Sequence, residues 1–235
     1  MNNFLDINLR AIAPHICKGC GCLGDTLCDS CFFDIIENKY EQCVSCGRQL
    51  SPSELAHLGN LCSRCGHTLP FSQVFVVGER RDVLLKLVGD FKYNSERESA
   101  KMLAKLLDVT IPPLAKDVLV SYITTSAPHI RSRGFDHMAL VARRFAKLRG
   151  LTSIKLLGRQ ISDSQHDKNA RERQILADKM FYLTQPHFGL PKRVLLIDDI
   201  WTTGATTTAA TKLFKTAGVT NVQLAIVARQ TEGGL

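Results

Sequence analysis

The sequence predicts an α/β chain: an open, doubly wound, mainly parallel sheet over residues 71–235, preceded by a small cysteine-rich segment over residues 1–70. Three observations predict it. All nine cysteines lie between Cys17 and Cys65, and none follows. From Phe71 onward, apolar strands alternate with segments of helical periodicity. One of those strands is apolar throughout and ends in two adjacent carboxylates, Asp198 and Asp199.

The cysteines form four Cys-x-x-Cys pairs: Cys17/Cys20, Cys28/Cys31, Cys43/Cys46 and Cys62/Cys65, with Cys22 left over. Two thiolates three residues apart hold one tetrahedral Zn²⁺ from a tight turn, and a second turn completes the site. Gly21, Gly47 and Gly66 each follow a second cysteine, as a knuckle turn with positive φ favours. Two zinc sites are therefore expected. Neighbouring pairs close the shortest loops, although crossed pairing also satisfies the spacing. Four-thiolate sites leave no coordination position open, so the expected role is structural. A segment this short should fold only with its metal bound. A redox centre would use one such pair, not four. A disulfide framework is disfavoured, because "MNNFLDINLRAIAPH" lacks the basic-then-apolar layout of a secretory signal. No apolar run approaches the roughly 20 residues that span a bilayer. A soluble, cytoplasmic protein without membrane insertion is expected.

The second region reads element by element. "FSQVFVVG" is a strand, and "RDVLLKLV" carries Val83, Leu84, Leu87 and Val88 at helical spacing. Ser95 with Glu98 forms a capping-box signature for a helix through about Leu107, which Pro112 and Pro113 stop. "DVLVSYITT" (117–125) is the next strand. "DHMALVARRFAKLRG" is a helix ending at Gly150, with Met138, Val141, Ala142, Phe145 and Leu148 inward and Arg143, Arg144 and Lys147 outward. "KRVLLIDD" has the continuous apolarity of a strand buried in a parallel sheet. "TTAATKLFKTAG" is its crossover helix, closed by Gly218, and "VQLAIVAR" a last strand.

Open α/β sheets bind ligands beyond the carboxyl ends of their strands. That places Asp198, Asp199 and the loop "WTTGAT" in the crevice. The loop runs directly into a helix, whose first amides and dipole favour an anion. Thr202, Thr203 and Thr206 add hydroxyl donors, and Gly204 lets the backbone come close. No lysine follows the glycine as a Walker loop requires, and the dinucleotide fingerprint is absent. Two carboxylates beside a phosphate would repel it unless something lay between. A sugar does so: its hydroxyls donate to the acids while its 5′-phosphate rests in the loop. This reading requires the acidic pair to be open to solvent and the threonine bend to be clear of side chains. A surplus of 30 Lys+Arg over 22 Asp+Glu, net +8, also favours an anionic partner.

"VLLIDDIWTTGAT" resembles the signature of type I phosphoribosyltransferases. The wider chain resembles the ComF family, also called competence-protein-F or amidophosphoribosyltransferase-like proteins. That resemblance includes the cysteine pairs, "FKY" (91–93), "RSRGFDHMAL" (131–140) and "SQHDKNARER" (164–173). It implies the type I phosphoribosyltransferase fold and binding of phosphoribosyl pyrophosphate (PRPP) with Mg²⁺. Asp198 and Asp199 would hold the ribose hydroxyls and act as catalytic residues, with Thr202, Thr203, Gly204, Ala205 and Thr206 around the 5′-phosphate. The family's "PVPL"-like pyrophosphate stretch reads "ITTSAPHIRSRG" here, with Thr125, Ser126, Arg131 and Arg133 as donors. Lys168, Arg171 and Arg173 would lie on a flap over the leaving group. Lys92 and Tyr93 are expected to anchor rather than react, and the seven histidines show no ligand spacing.

Two functions follow from the resemblance. One is phosphoribosyl transfer to an unknown acceptor. The other is a non-catalytic nucleic-acid-binding or PRPP-sensing module in DNA uptake or recombination, with single-stranded DNA or competence proteins as partners. Aromatic residues total only 7%, and no aromatic-interleaved basic platform for single strands is visible, which weighs against the second.

Overall fold

The computed structural model describes residues 15–93, 98–159, 180–184 and 189–230. Its centre is a five-stranded sheet built from β3 (Gln73–Glu79), β4 (Leu119–Tyr122), β5 (Thr152–Ser153), β8 (Arg193–Trp201) and β9 (Asn221–Arg229). The order is β3-β9-β8-β4-β5, and every neighbouring pair is parallel. The most apolar strands, β8 and β9, lie inside, as strands buried on both faces must.

Side chains alternate along each strand, so each face collects its own core. Phe75, Val77, Val120, Tyr122, Leu195, Ile197, Ala225 and Val227 point to one face. There they meet α4 (Asp82–Tyr93), α5 (Ser99–Thr110) and α7 (His137–Arg149). Val74, Val76, Val194, Leu196, Leu224 and Ile226 point to the other, against Ala210 and Phe214 of α8 (Ala205–Thr216). With helices on both faces, the sheet is doubly wound.

The cysteine-rich segment contributes to both cores. A short hairpin, β1 (His15–Ile16) with β2 (Leu23–Gly24), and helix α1 (Asp29–Glu37) pack on the first face through Cys17, Leu27, Phe32, Ile35 and Ile36. Helices α2 (Pro52–Leu58) and α3 (Ser63–Gly66) belong to the second, where Cys43, Val44, Leu50, Leu61 and Cys62 are buried. Between them the chain covers the open edge of β3. Asn60 donates its amide to the Val74 carbonyl at 2.6 Å, and its side-chain oxygen accepts the Val76 N–H at 2.8 Å. Gly59 has φ +63°, and a Cβ there would lie 2.1 Å from the Val74 oxygen, so only glycine permits this approach. The covered edge cannot recruit another strand.

Three expectations are modified. Helix α5 begins at Ser99, with Glu98 at its N-cap in helical conformation and no side-chain cap bond, and it runs to Thr110 rather than Leu107; Ser95 lies outside the described residues. Leu148 is 53% exposed rather than inward. At 3.6 residues per turn it sits on the flank of the stripe formed by Met138, Ala142 and Phe145. The pyrophosphate-side stretch after β4, given no secondary structure in the sequence reading, forms helix α6 (Ala127–Arg133), with Ser126 at its N-cap and Pro128 in its first turn. A small antiparallel pair, β6 (Leu157–Arg159) with β7 (Phe181–Leu183), stands apart from the main sheet. Among the described residues, no helix is long and apolar enough to cross a membrane.

Candidate functional site

The structure resolves the cysteine pairing. Cys17, Cys20, Cys28 and Cys31 converge in one cluster and Cys43, Cys46, Cys62 and Cys65 in another, the four sulfurs of each lying within 4.8 Å of one another. All nine cysteines are unbridged. Cys20 and Cys28 sulfurs are 3.6 Å apart, and those of Cys46 and Cys62 3.8 Å. Tetrahedral zinc with Zn–S bonds of about 2.3 Å sets its sulfurs roughly 3.8 Å apart, so both clusters fit the ion. Local amides favour thiolate. Burial pushes Cys17 up, but the backbone N–H groups of Cys28, Cys20 and Gly19 outweigh it and bring the thiol down to about 6. Cys62 also falls to about 6, its burial being overcome by the Cys65 amide and the neighbouring thiols. Burial and those same neighbours push Cys31 and Cys65 up to about 12, a crowding of sulfur charge that a bound cation relieves.

The crevice lies beyond the carboxyl end of β8. Its alternation sends Asp198 toward the α8 side and Asp199 toward the α7 side. Asp199 Oδ2 lies 2.8 Å from His137 Nε2. His137 Nδ1 is 2.8 Å from Thr125 Oγ1, and Asp136 accepts from both the hydroxyl (3.2 Å) and the amide (3.3 Å) of Thr125. The Thr125 proton can point to Asp136 or to the ring, and the two placements correspond to a cationic and a neutral imidazole. Phe91 supports the ring edge-on, with centroids 5.5 Å apart, and Phe135 packs against Phe91 in turn. Phe91, Phe135 and His137 thus meet beside Asp199.

Asp198 Oδ1 accepts the Asp199 N–H at 2.9 Å. Arg159 of β6 feels the Asp198 carboxylate from the same side, with its guanidinium 5.8 Å from the centre of the Phe181 ring. Desolvation of that group holds it below the ordinary arginine value, with Asp198 pushing the other way, although Arg159 as a whole is solvent-exposed.

The acidic pair is buried, contrary to the sequence reading, which requires it open to solvent. Asp198 is 8% and Asp199 7% exposed. The cause is tertiary: His137 closes over Asp199 from α7, while the backbone amide turns Asp198 inward. An opening remains, since 11% of the Asp199 side chain reaches the surface.

The threonine loop is accessible. Thr202, Thr203 and Ala205 are exposed and Thr206 half-buried. Ala205, Thr206 and Thr207 occupy the first turn of α8, where amides have no intrahelical acceptor. Thr207 Oγ1 is committed to the Gly204 carbonyl. Gly204 itself is buried at φ +75°, and a Cβ on it would lie 2.2 Å from the Trp201 ring. Its small size therefore seats Trp201 beneath the loop, leaving the outer surface clear.

The pyrophosphate-side residues divide. Thr125 is engaged by Asp136 and His137. Ser126 stands at the N-cap position of α6 without a side-chain cap bond, and Arg131 is exposed on that helix. Lys168, Arg171 and Arg173 lie outside the described residues, as do the side chains of Lys92, Tyr93 and Arg133. A separate cavity of about 550 Å³ lies at the β3 edge, lined by Ile35, Leu55, Val109 and Pro112 among others, far from this chemistry. Sequence reasoning missed His137, Asp136 and Trp201. His137 meets Asp199 across 62 positions, a separation that leaves no local spacing to read.

No protein-family model matches the chain. Competence protein F of Haemophilus influenzae is 24% identical over 237 residues, which cover 97% of each protein. Competence protein ComFC of Streptococcus pneumoniae is 25% identical over 202 residues, 83% of each. A third relative is DNA utilization protein YhgH of Salmonella typhimurium, 27% identical over 80% of the chain and 84% of the relative. Together these relatives support the ComF family. Among solved structures, hypoxanthine phosphoribosyltransferase from Staphylococcus aureus covers 58% of the chain and 75% of its own at 12% identity and TM-score 0.34. Adenine phosphoribosyltransferase from Leishmania tarentolae covers 60% and 78% at 20% identity and TM-score 0.30. Superpositions this loose carry no weight, and the fold rests on the chain's own strand order.

Proposed function

We propose that this ComF-family chain binds PRPP in the crevice beyond β8 and transfers its phosphoribosyl group, with Mg²⁺, to an acceptor, in the service of DNA uptake. One observation carries the reading. An adjacent acid pair ends an interior parallel strand and is followed at once by an accessible loop on a helix N-terminus. The acids take the ribose hydroxyls, and Thr202, Thr203, Thr206 and the first amides of α8 take the 5′-phosphate. As the bond from ribose C1 to pyrophosphate lengthens, positive charge grows on the ring, and Asp198 and Asp199 stabilise it electrostatically. Mg²⁺, when bound with the substrate, would supply charge neutralisation for the leaving pyrophosphate. Arg131 supports the pyrophosphate side, with Arg133 two positions on, and Lys168, Arg171 and Arg173 would neutralise the leaving group. The names of the relatives support a setting in competence or DNA use, and eight cysteines grouped as unbridged clusters support the cytoplasm.

A second reading has its own support. Thr125 and Asp199 are already tied together through His137. A site whose polar groups are mutually engaged suits a module that senses PRPP without turning it over, alone or on DNA.

Titration with PRPP and Mg²⁺ tests both. Charge-assisted hydrogen bonds are worth about 1.5–3 kcal/mol. Asp198→Asn and Asp199→Asn should therefore each weaken PRPP roughly ten- to hundredfold. Pyrophosphate release with candidate bases marks the transferase, and PRPP binding without release marks the sensor. Salt-dependent DNA affinity indifferent to both substitutions, with no PRPP binding, refutes the site.

A further inference from the structure

We infer that Arg229 is a positioning residue through which the Cys43/Cys46/Cys62/Cys65 cluster holds the phosphate loop; as regards ligand binding, this rests on the reading above. Arg229 is the last residue of β9 and lies in register with Trp201 at the end of β8. Its Nε donates to the Val44 carbonyl at 2.7 Å, inside the Cys43–Cys46 turn. Its Nη1 donates to the carbonyls of Trp201 (3.4 Å) and Gln230. The Gln230 amide bonds the same Trp201 carbonyl at 2.8 Å. One guanidinium thus clamps the metal turn to the strand end that launches the loop.

Trp201 carries the connection onward. It is 2% exposed, its ring lies under Gly204, and Phe71 meets it edge-on at 5.8 Å. Phe71 shares a core with Cys43, Val44 and Cys62. The position of Trp201 therefore sets Gly204 and, one residue on, the first amides of α8. The Val44 carbonyl sits in the turn that Cys43 and Cys46 close, so loss of the ion should loosen it even though the Val44 N–H also bonds the Asn60 carbonyl at 2.9 Å. Among the described residues, no arginine of the sheet is hydrogen-bonded to the other cluster in this way. That cluster attaches on the opposite face, where Lys18 pairs with Asp90 at 2.8 Å. A fork of fixed donors suits this task, whereas a lysine offers a single point charge.

Trp201 is the only tryptophan in the chain, so its emission reports the loop directly. The experiment uses full-length, zinc-loaded protein, following zinc content, Trp201 emission and affinity for PRPP and for inorganic phosphate. Arg229→Ala should retain two zinc ions, red-shift Trp201 emission and weaken PRPP about tenfold, the scale of a lost bond to a charged group. Arg229→Lys should recover part of both. Cys65→Ser should shift Trp201 emission in the wild-type background but add little to Arg229→Ala, whereas Cys20→Ser should leave the emission unchanged. Should Cys65→Ser not fold, chelation of the wild type replaces it, and should Arg229→Ala not fold, Arg229→Lys carries the comparison. Wild-type emission and PRPP affinity in a zinc-loaded Arg229 variant overturn the proposal, as does Trp201 emission that ignores loss of the second metal. Absence of PRPP binding by the wild type strikes the proposed function instead, and the emission arm then decides the role of Arg229.

Discussion

The two cysteine clusters share one ligand chemistry and differ in almost everything around it. The first joins pairs separated by a short spacer, Cys28 standing eight positions after Cys20, and stays near the surface. Its hairpin leaves Ile16 55% and Leu23 72% exposed. It is attached by the Lys18–Asp90 ion pair and by Gly19, which lies close to Cys31 and Val83. The second spans sixteen positions from Cys46 to Cys62, and the spacer folds into α2. Cys43, Val44, Leu61 and Cys62 are fully buried, and Asn60 pairs with β3. The same metal chemistry therefore makes a peripheral clip in one place and part of the sheet's own core in the other. Burial of the surroundings, not ligand identity, decides how much of the fold depends on each ion.

The largest break in this comparison should come from the ligands themselves. Cys43→Ser and Cys20→Ser should each release one zinc ion, read by metal analysis. Cys43→Ser should lower Tm by roughly 10 °C or more, and Cys20→Ser by about half as much, because the second cluster and its surroundings are the more deeply buried. Equal losses would erase the distinction between clip and core.

A smaller effect should follow from Asn60→Ala. It leaves the Val76 amide and the Tyr40 carbonyl without their side-chain partner. An unsatisfied buried group costs about 1–3 kcal/mol, or several degrees in Tm. Amide exchange at Val76 should accelerate while amides of the first cluster keep their protection, and uniform exchange would contradict the local account.

The smallest effect concerns pH. Glu54 accepts from the Ser51 and Ser63 amides and pairs with Arg48, which brings its carboxyl down to about 2 from an ordinary 4.5. A depressed folded-state value means that this stabilisation is complete above about pH 5 and disappears as pH falls toward 2. Against wild type, Glu54→Gln should be less stable at pH 7, and the gap should close on acidification. A constant gap would show that the charge is irrelevant. Zinc release at low pH is separated by comparing the two proteins at matched metal content.

Much of this architecture was legible along the chain. Cysteine spacing announced two four-sulfur sites, and continuous apolarity marked β8 and β9 as interior strands. Gly150 ended α7 where the sequence reading placed it, in the left-handed conformation that a helix terminus favours. The pattern misjudged Leu148, because periodicity describes a helix's own face and not how far its neighbours extend. The stretch "APHIRSR" was missed as a helix because seven residues carry too little periodicity to show.

Order and spacing by themselves determined what depends on neighbours a few residues apart: the knuckles, the strand and helix alternation, and the acid pair beside its threonine loop. Tertiary structure alone decided which cysteine pairs share an ion, which core each cluster enters, and how deeply Asp198 and Asp199 lie. It alone brought His137 to Asp199, and Arg229 to both Val44 and Trp201, across 185 and 28 positions. The physical reason is reach. A turn or a helix face is set by short-range sterics and hydrogen bonds, whereas a side chain's partner across the sheet exists only once strand register has fixed where both ends stand.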